Sequence, residues 1–291
     1  MKLNRDNYYT SEADWEYMSC SQYQGFQECE AKQMAKLEGR WKGKDTEAFL
    51  VGNYFHSYME SPEAHEQVCE EHFDAIFKTR IDKKTGEIII TGKYAPYIKA
   101  DEMIERCMKN ELVRRFYDWN GEVEKIVTGE LFGVPWRIRM DKYFHDRNII
   151  LDWKTTQNIR ELKYNPETRQ RETFCELHGY LFRAAVYAEI VKQNTGQSYD
   201  PQFIIVAVSK QDFPDLAVLS LNHRSEWDYQ LEQVKQHIQH IQEVKAHRQA
   251  AWRCGECDYC RATNRITRLI PYYELKPEVR TGYEYDDLPE I

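Results

Sequence analysis

The sequence lacks long hydrophobic runs and is poor in glycine and proline. Its 291 residues include 13 glycines and 9 prolines, too few for a collagen-like or low-complexity chain. No apolar stretch approaches the ~18 residues that a membrane-spanning helix needs. Residues 1–15 contain no apolar segment of the kind found in a secretory signal. We therefore expect a cytoplasmic protein with no membrane partner.

The chain also lacks an excess of positive charge. Its 40 basic and 48 acidic residues give a formal net charge of −8. This balance excludes a broadly basic nucleic-acid-binding protein, but it leaves room for a local basic groove. Residues 272–291 carry six acids and two bases, which is half of the net charge. We expect this acidic segment to be a poorly ordered tail.

Hydrophobic periodicity in the middle of the chain predicts an α/β domain. Residues 136–141 alternate between apolar and polar side chains, as half-buried strands do, and residues 203–208 form an apolar run typical of a buried strand. Further strands are predicted at 123–132, 149–154 and 216–221, and helices at 46–58, 100–118, 177–191 and 227–244. In the second of these helices, Leu112 is expected to face inward. The pattern predicts a central mixed β-sheet flanked by helices.

These patterns divide the chain into four segments. Residues 46–250 form the predicted core domain, and residues 1–45 form an N-terminal segment that packs on it. Residues 251–271 form a cysteine-rich segment, which residues 272–291 follow as the acidic tail.

Three charged side chains in the predicted sheet form a candidate catalytic group. Asp152 and Lys154 lie two residues apart on one strand, so both side chains point to the same face. Asp141 lies on the preceding strand, and the short connection predicts a hairpin that brings it near Asp152. Carboxylates hold Mg²⁺, which polarises a phosphate and acidifies a bound water, while an ammonium group stabilises the developing charge. Alone, the tripeptide D-x-K is a weak signal and is usually a solvated ion pair.

Two helical pairs accompany this group. Gly52 and His56 lie four residues apart on the first predicted helix, so they share a face, and a neutral histidine can ligate a metal. Arg183 and Tyr187 have the same spacing on the helix that follows Lys154. Alone, each of these residues would be assigned a structural role.

Taken in order, these motifs resemble the PD-(D/E)XK nuclease superfamily. More narrowly, the chain looks like its RecE-type and RecB-type domains, including the phage exonucleases of the exodeoxyribonuclease VIII kind, over residues 19–261. The resemblance implies a restriction-endonuclease-like core and a hydrolase that degrades DNA from duplex ends with Mg²⁺ or Mn²⁺. It also implies a role in phage recombination by single-strand annealing, with an annealing protein as a partner in the host cytoplasm.

The resemblance also assigns roles to individual residues. It implies that His56, Asp141 and Asp152 hold the metal, and that Lys154 acts in catalysis together with the two aspartates. Tyr187 matches the family's helix tyrosine and would support the substrate in the catalytic site.

One position departs from the family pattern, and another adds a candidate acid. The family often has glutamine where this chain has Arg183, which could contact a DNA phosphate instead. Glu130, in the strand before Asp141, is a further candidate acid.

Two other classes of function compete with this interpretation. One is a DNA-binding or assembly protein of the same fold that has lost turnover, although the intact acidic group argues against it. The other is a redox or sensor protein built on a metal cluster. The absence of a flavin or dinucleotide fingerprint makes this class less favoured.

A cysteine cluster follows the last predicted helix. Cys254, Cys257 and Cys260 form a C-x₂-C-x₂-C motif, whose thiolates could wrap one metal ion or cluster, with a fourth ligand elsewhere. Some RecB-type nucleases resemble this arrangement, with one cysteine before the core and three after it binding a [4Fe–4S] cluster. That resemblance implies Cys29 as the fourth ligand, with Cys20 as the alternative. Zn²⁺ is the alternative metal, and a cluster without metal is the third possibility.

Overall fold

The computed structural model describes residues 1–43, 46–165, 168–197, 199–266 and 269–272. The strands are β1 (Phe77–Ile81), β2 (Ile88–Lys93), β3 (Glu122–Leu131), β4 (Val134–Phe144), β5 (Ile149–Thr156), β6 (Lys163–Asn165), β7 (Gln170–Glu172), β8 (Gln202–Ser209) and β9 (Leu216–Ser220). The helices are α1 (Ser11–Glu16), α2 (Cys20–Glu28), α3 (Glu30–Leu37), α4 (Glu47–Glu60), α5 (Pro62–Glu71), α6 (Phe73–Ile76), α7 (Ala95–Met108), α8 (Glu111–Asp118), α9 (Phe174–Leu177), α10 (Tyr180–Thr195), α11 (Arg224–Lys245) and α12 (Asp258–Ala262). Most of the predicted acidic tail lies outside the described residues.

A five-stranded mixed sheet forms the centre of the domain, in the order β3-β4-β5-β8-β9. Within this sheet only the β5–β8 pair is parallel. The β3–β4, β4–β5 and β8–β9 pairs are antiparallel. A parallel pair needs a crossover connection, and the chain between β5 and β8 supplies it with α9 and α10. The predicted central mixed sheet is therefore confirmed. Two small hairpins, β1–β2 and β6–β7, lie outside this sheet.

Helices cover both faces of the sheet, because successive side chains of a strand point to opposite sides. On one face, Trp136 and Ile138 of β4 are buried in a core that includes α10 and α11. On the other face, Trp153 of β5 and Val206 of β8 are buried with α4 and α7. The central strands are apolar on both faces, which explains the nearly continuous hydrophobic sequence of β8.

The N-terminal segment pairs with β4 at a point where β5 has left that strand. Met18 forms a parallel bridge with Trp136, donating its N–H to Pro135 O at 2.8 Å and accepting from Arg137 N at 2.8 Å. This position is open because β5 pairs with β4 only over Lys142–Phe144. The segment therefore packs into the main core, while the division of the chain at residue 46 stays a prediction.

The single helix predicted for residues 100–118 is wrong. The structure has two helices there, α7 and α8, and the second begins where the Asn110 side chain accepts a hydrogen bond from Val113 N at 3.1 Å. This N-cap restarts the helix and shifts its periodicity. As a result, Leu112 is 47% exposed instead of facing inward. No helix within the described ranges is both long and apolar enough to cross a membrane.

Candidate metal and catalytic site

The site lies where β4 and β5 separate. The two strands pair only between Lys142–Phe144 and Ile149–Leu151, and beyond that point their backbones no longer bond to each other. The side chain of Asp141 fills this gap, since its Oδ2 accepts a hydrogen bond from Trp153 N at 2.8 Å. The Asp141 carboxylate thus replaces a main-chain carbonyl as the partner of the Trp153 N–H. This hydrogen bond fixes the position of the carboxylate where the strands diverge.

Asp152 and Lys154 are placed on the same face of β5, beside Asp141. Lys154 Nζ lies 2.5 Å from Asp152 Oδ2, and it donates a hydrogen bond to Trp153 O at 3.0 Å. Arg183 Nη1 lies 3.8 Å from the other oxygen of Asp152. Asp152 is only 3% exposed, and the Lys154 ammonium is the counterion of its Oδ2. A carboxylate in this position offers the oxygen atoms that a divalent cation binds in proteins.

His56 reaches the same place from α4. Its Nδ1 lies 3.4 Å from Asp141 Oδ2, and Gly52, one turn earlier, lines the same cavity of about 780 Å³. Burial raises the pKa of Asp141, but the charges of Lys154 and His56 and the hydrogen bonds from His56 and Trp153 N outweigh it and lower the pKa well below its usual range. The carboxylate of Asp141 is therefore ionised and available to a cation.

Glu124 is a further acid at this site, and the sequence interpretation did not find it. It stands opposite Asp141 in the β3–β4 hairpin, between the pairs Val123 with Lys142 and Lys125 with Met140. Its carboxylate lies 2.7 Å from Arg139 Nε. Burial raises the pKa of Glu124 to about 7, with the Arg139 guanidinium lowering it and the negative Asp141 adding to the rise. The backbone of Glu124 has φ +53°, an unfavourable left-handed conformation for a non-glycine residue.

Glu130 does not join the site. It pairs with Pro135 beside the hairpin turn and is exposed, with its main-chain N–H and C=O both bonded to the Gln193 side chain. Counting outward from the two-residue turn Phe132–Gly133 places Glu124, not Glu130, opposite Asp141. The hairpin register was therefore the signal that could have placed Glu124 beside Asp141.

Tyr187 and Arg183 approach from α10. The Tyr187 hydroxyl donates a hydrogen bond to the main-chain oxygen of Arg139 at 2.9 Å, two residues before Asp141. Burial raises the pKa of Tyr187 well above its ordinary value, so this hydroxyl stays protonated. Tyr187 holds β4 beside Asp141, and its described hydrogen bond is to the strand. Arg183, by contrast, lines the cavity that contains Lys154.

A second, basic cavity of about 390 Å³ adjoins the first and shares Arg139, Asp141 and Arg183 with it. Arg137 lines this second cavity and is only 3% exposed. Its guanidinium pairs with Asp14. Its Nε and Nη1 donate no hydrogen bonds to the described residues. Buried donors without partners are costly, so an anion entering this cavity would gain hydrogen bonds from Arg137.

The four cysteines of the predicted metal centre also come together. The Sγ atoms of Cys29, Cys254, Cys257 and Cys260 all lie within 4.8 Å of one another. Cys20 is buried in the main core instead and does not belong to this group. The four thiols form a group that could hold a metal ion.

The donor types at the strand divergence suit a divalent cation, although their ligand atoms do not all lie within 4.8 Å of one another as the four cysteine sulfur atoms do. Two carboxylates, Asp141 and Asp152, together with the imidazole of His56, supply the oxygen and nitrogen atoms that such ions bind in proteins.

Comparison with known proteins identifies the class of this fold. The model of a family described as a PDDEXK-like domain of unknown function (DUF3799) matches residues 19–263. A crystal structure of a protein named "Putative exonuclease", from Eubacterium rectale, is 32% identical, with a TM-score of 0.82 over 96% of this chain and 100% of that chain. The fold is that of the PD-(D/E)XK nuclease superfamily, as predicted. Within it, the chain belongs to the PDDEXK-like family DUF3799.

Two further comparisons add nothing to this assignment. The solved structure of SSO0001 is 15% identical and covers 79% of this chain and 90% of that chain, with a TM-score of 0.30. No curated protein gives a significant match.

The hydrogen bond from Tyr187 predicts a measurable loss of stability. Replacing Tyr187 with phenylalanine leaves the Arg139 carbonyl without this donor, which we expect to lower the free energy of unfolding by about 1–3 kcal/mol. Urea unfolding measures the change. Tyr229→Phe, at an exposed position on α11, is the matched control and should unfold like the wild type. Equal stability of the two variants would contradict the role assigned to Tyr187.

The raised pKa of Glu124 predicts a pH dependence of stability in the metal-free protein. The folded state keeps the proton of Glu124 between about pH 4.5 and 7, where the unfolded state releases it, so stability falls as pH rises through this window. Glu124→Gln removes this effect. Relative to wild type, the variant should therefore gain up to about 3 kcal/mol across the window. Urea unfolding in EDTA at both ends of the window tests this, and a constant difference between the two proteins would refute it.

Proposed function

We propose that this protein is a metal-dependent DNA exonuclease that hydrolyses phosphodiester bonds at duplex ends, with Mg²⁺ or Mn²⁺ as the metal. The observation that carries the proposal is the meeting of Asp141, Asp152 and Lys154 where β4 and β5 diverge. The membership of the chain in a PDDEXK-like family and its likeness to a protein named as an exonuclease support the same chemistry.

The proposal gives each residue at the divergence a role. Asp141, Asp152 and His56 would hold the metal, which when bound polarises the phosphate and acidifies a water molecule. Lys154, held beside Asp152, places its ammonium group where it can orient the attacking water and offset the negative charge that develops on the phosphate. Tyr187 is a positioning residue, because it acts through the backbone of β4.

The basic cavity beside the site supports a preference for DNA ends. Arg137, Arg139 and Arg183 bring three guanidinium groups to a recess that continues past Asp141. A recess of about 390 Å³ has room for a terminal nucleotide phosphate, whereas an uninterrupted duplex is too wide to enter it. Arg183 lies between the two cavities, so it can contact the phosphate next to the scissile bond.

The biological setting rests on the resemblance to RecE-type enzymes. We propose that the protein resects duplex ends for phage-type recombination, in the bacterial cytoplasm and together with a single-strand annealing protein. A pull-down with a single-strand annealing protein would test that partnership separately from the chemistry.

The first activity prediction concerns the charged group itself. Asp152→Asn and Lys154→Ala should each reduce the rate of DNA hydrolysis by at least about 10²-fold, because each removes a charge that acts on the reacting phosphate. Digestion of end-labelled linear duplex with Mg²⁺ measures this rate, and circular dichroism checks the fold. Asp146→Asn, fully exposed in the β4–β5 turn, is the matched control and should keep wild-type activity. Wild-type activity in Asp152→Asn would disprove the assignment.

The second activity prediction concerns DNA ends. Linear duplex should be degraded to nucleotides or short products, and EDTA should stop this degradation. A closed circle of the same sequence should persist. If the basic cavity receives a terminal phosphate, phosphatase treatment of the ends should raise KM more than it lowers kcat. Rapid cleavage of the closed circle would instead indicate an endonuclease. No digestion of either substrate would favour a DNA-binding protein without turnover.

A further inference from the structure

The cysteine cluster brings together the start of α3, near the N-terminus, and the segment that follows α11, near the C-terminus. Cys29 lies between α2 and α3, whereas Cys254 and Cys257 lie in the segment after α11 and Cys260 lies in α12. Cys29 Sγ is 3.6 Å from Cys260 Sγ, a contact between residues 231 positions apart, and Cys254 Sγ is 3.9 Å from Cys260 Sγ. All four thiols are free, so these contacts are not disulfides.

The sulfur separations distinguish between one metal ion and a cluster. Four thiolates in a tetrahedron around zinc, each about 2.3 Å from the ion, lie about 3.8 Å from one another. In a four-iron cluster each cysteine binds a different iron at the corners of a cube, so the sulfur atoms stand farther apart than ligands that share one ion. The separations of 3.6 and 3.9 Å, and the limit of 4.8 Å for the whole set, match a single ion and do not fit a cubane.

The local backbone is arranged to present thiolates inward. Cys257 N donates to Cys254 Sγ at 3.3 Å, and Cys260 N donates to Cys257 Sγ at 3.4 Å. Gly255, with φ +79°, makes the tight turn between the first two ligands in a left-handed conformation that favours glycine. Cys29 and Cys260 are buried, and Tyr259 and Ala35 pack around them. The result is a closed site with four protein ligands, which is the form of structural zinc sites.

A second contact holds the same two segments together. The carboxylate of Glu30, next to Cys29, accepts hydrogen bonds from Trp252 N at 2.7 Å and from His240 Nε2 at 2.7 Å. Ala31 N donates to Trp252 O at 2.9 Å. The ligand positions at the start of α3 and after α11 are therefore fixed by bonds that do not involve the thiols.

We propose that Cys29, Cys254, Cys257 and Cys260 bind one Zn²⁺ in a closed tetrahedral site that fastens the C-terminal segment to α3, and that they do not hold a four-iron cluster. All four positions are taken by sulfur, so no position is open to water and the ion is structural. Because α3 also carries Gln33, Lys36 and Leu37 in the lining of the basic cavity, the ion supports one wall of the proposed DNA-end site. The proposal does not depend on the protein being a nuclease.

Metal analysis of the full chain tests the identity of the ion. The protein is purified anaerobically from cells supplied with both iron and zinc, and the expected result is one zinc per chain, no stoichiometric iron and no visible colour. A brown protein with iron and sulfide in near-equal amounts would overturn the proposal in favour of a cluster. A protein without bound metal would also overturn it. Replacement of zinc by Co²⁺ should give the visible bands of tetrahedral thiolate coordination.

Variants test the ligand set without using DNA. Cys29→Ser and Cys257→Ser should each lose the zinc and lower the melting temperature by several degrees. Cys69→Ser, at a partly buried thiol on α5, is the matched control and should keep both. If the ligand variants fail to fold, chelation of the wild type serves instead, since the melting temperature should fall and recover with Zn²⁺ but not with Mg²⁺. Full zinc content in Cys29→Ser, or a melting temperature that chelation does not change, would contradict the proposal.

Discussion

The divergence of β4 and β5 is the constraint on which the rest of the candidate site depends. Buried main-chain N–H groups must find partners, and where β4 leaves β5 the Trp153 N–H has lost its strand neighbour. Asp141 supplies the partner with its side chain. The same hydrogen bond that satisfies the backbone therefore places a carboxylate beside Asp152, in the gap that the separated strands create. Farther along β4, the N-terminal segment fills the same gap, because Met18 forms a parallel bridge with Trp136 there.

The charges around this gap are interleaved rather than grouped by sign. Asp152 lies between Lys154 and Arg183, Asp141 faces His56, and Glu124 faces Arg139. Such pairing lets several ionised groups stay close together in a largely buried region. Glu124 differs from the other acids, since burial and the nearby Asp141 raise its pKa to about 7, so that it is about half protonated at pH 7. A cation bound between the aspartates would favour the charged form of Glu124, so metal binding and the protonation of this acid are linked.

Much of this arrangement follows from local sequence rules, and the rest depends on packing. Period-two alternation and a short turn were enough to predict that Asp141 and Asp152 lie on adjacent strands with Lys154 on the same face. No local rule could bring His56 to Asp141, because that contact depends on how α4 packs over β5, and only the family resemblance suggested it. Glu124 could have been predicted from the hairpin register. Arg137 was expected on a half-exposed strand, but the packing of the N-terminal segment against that strand buries it.

The central claim is that the strand divergence is a divalent-cation site, and anomalous X-ray diffraction from crystals grown with Mn²⁺ tests it most directly. The account predicts a manganese peak within coordination distance of both Asp141 and Asp152, with His56 beside it, and no such peak in crystals of Asp152→Asn grown in the same way. Manganese found only elsewhere on the protein, or an ordered wild-type site without manganese at saturating concentration, would contradict the account.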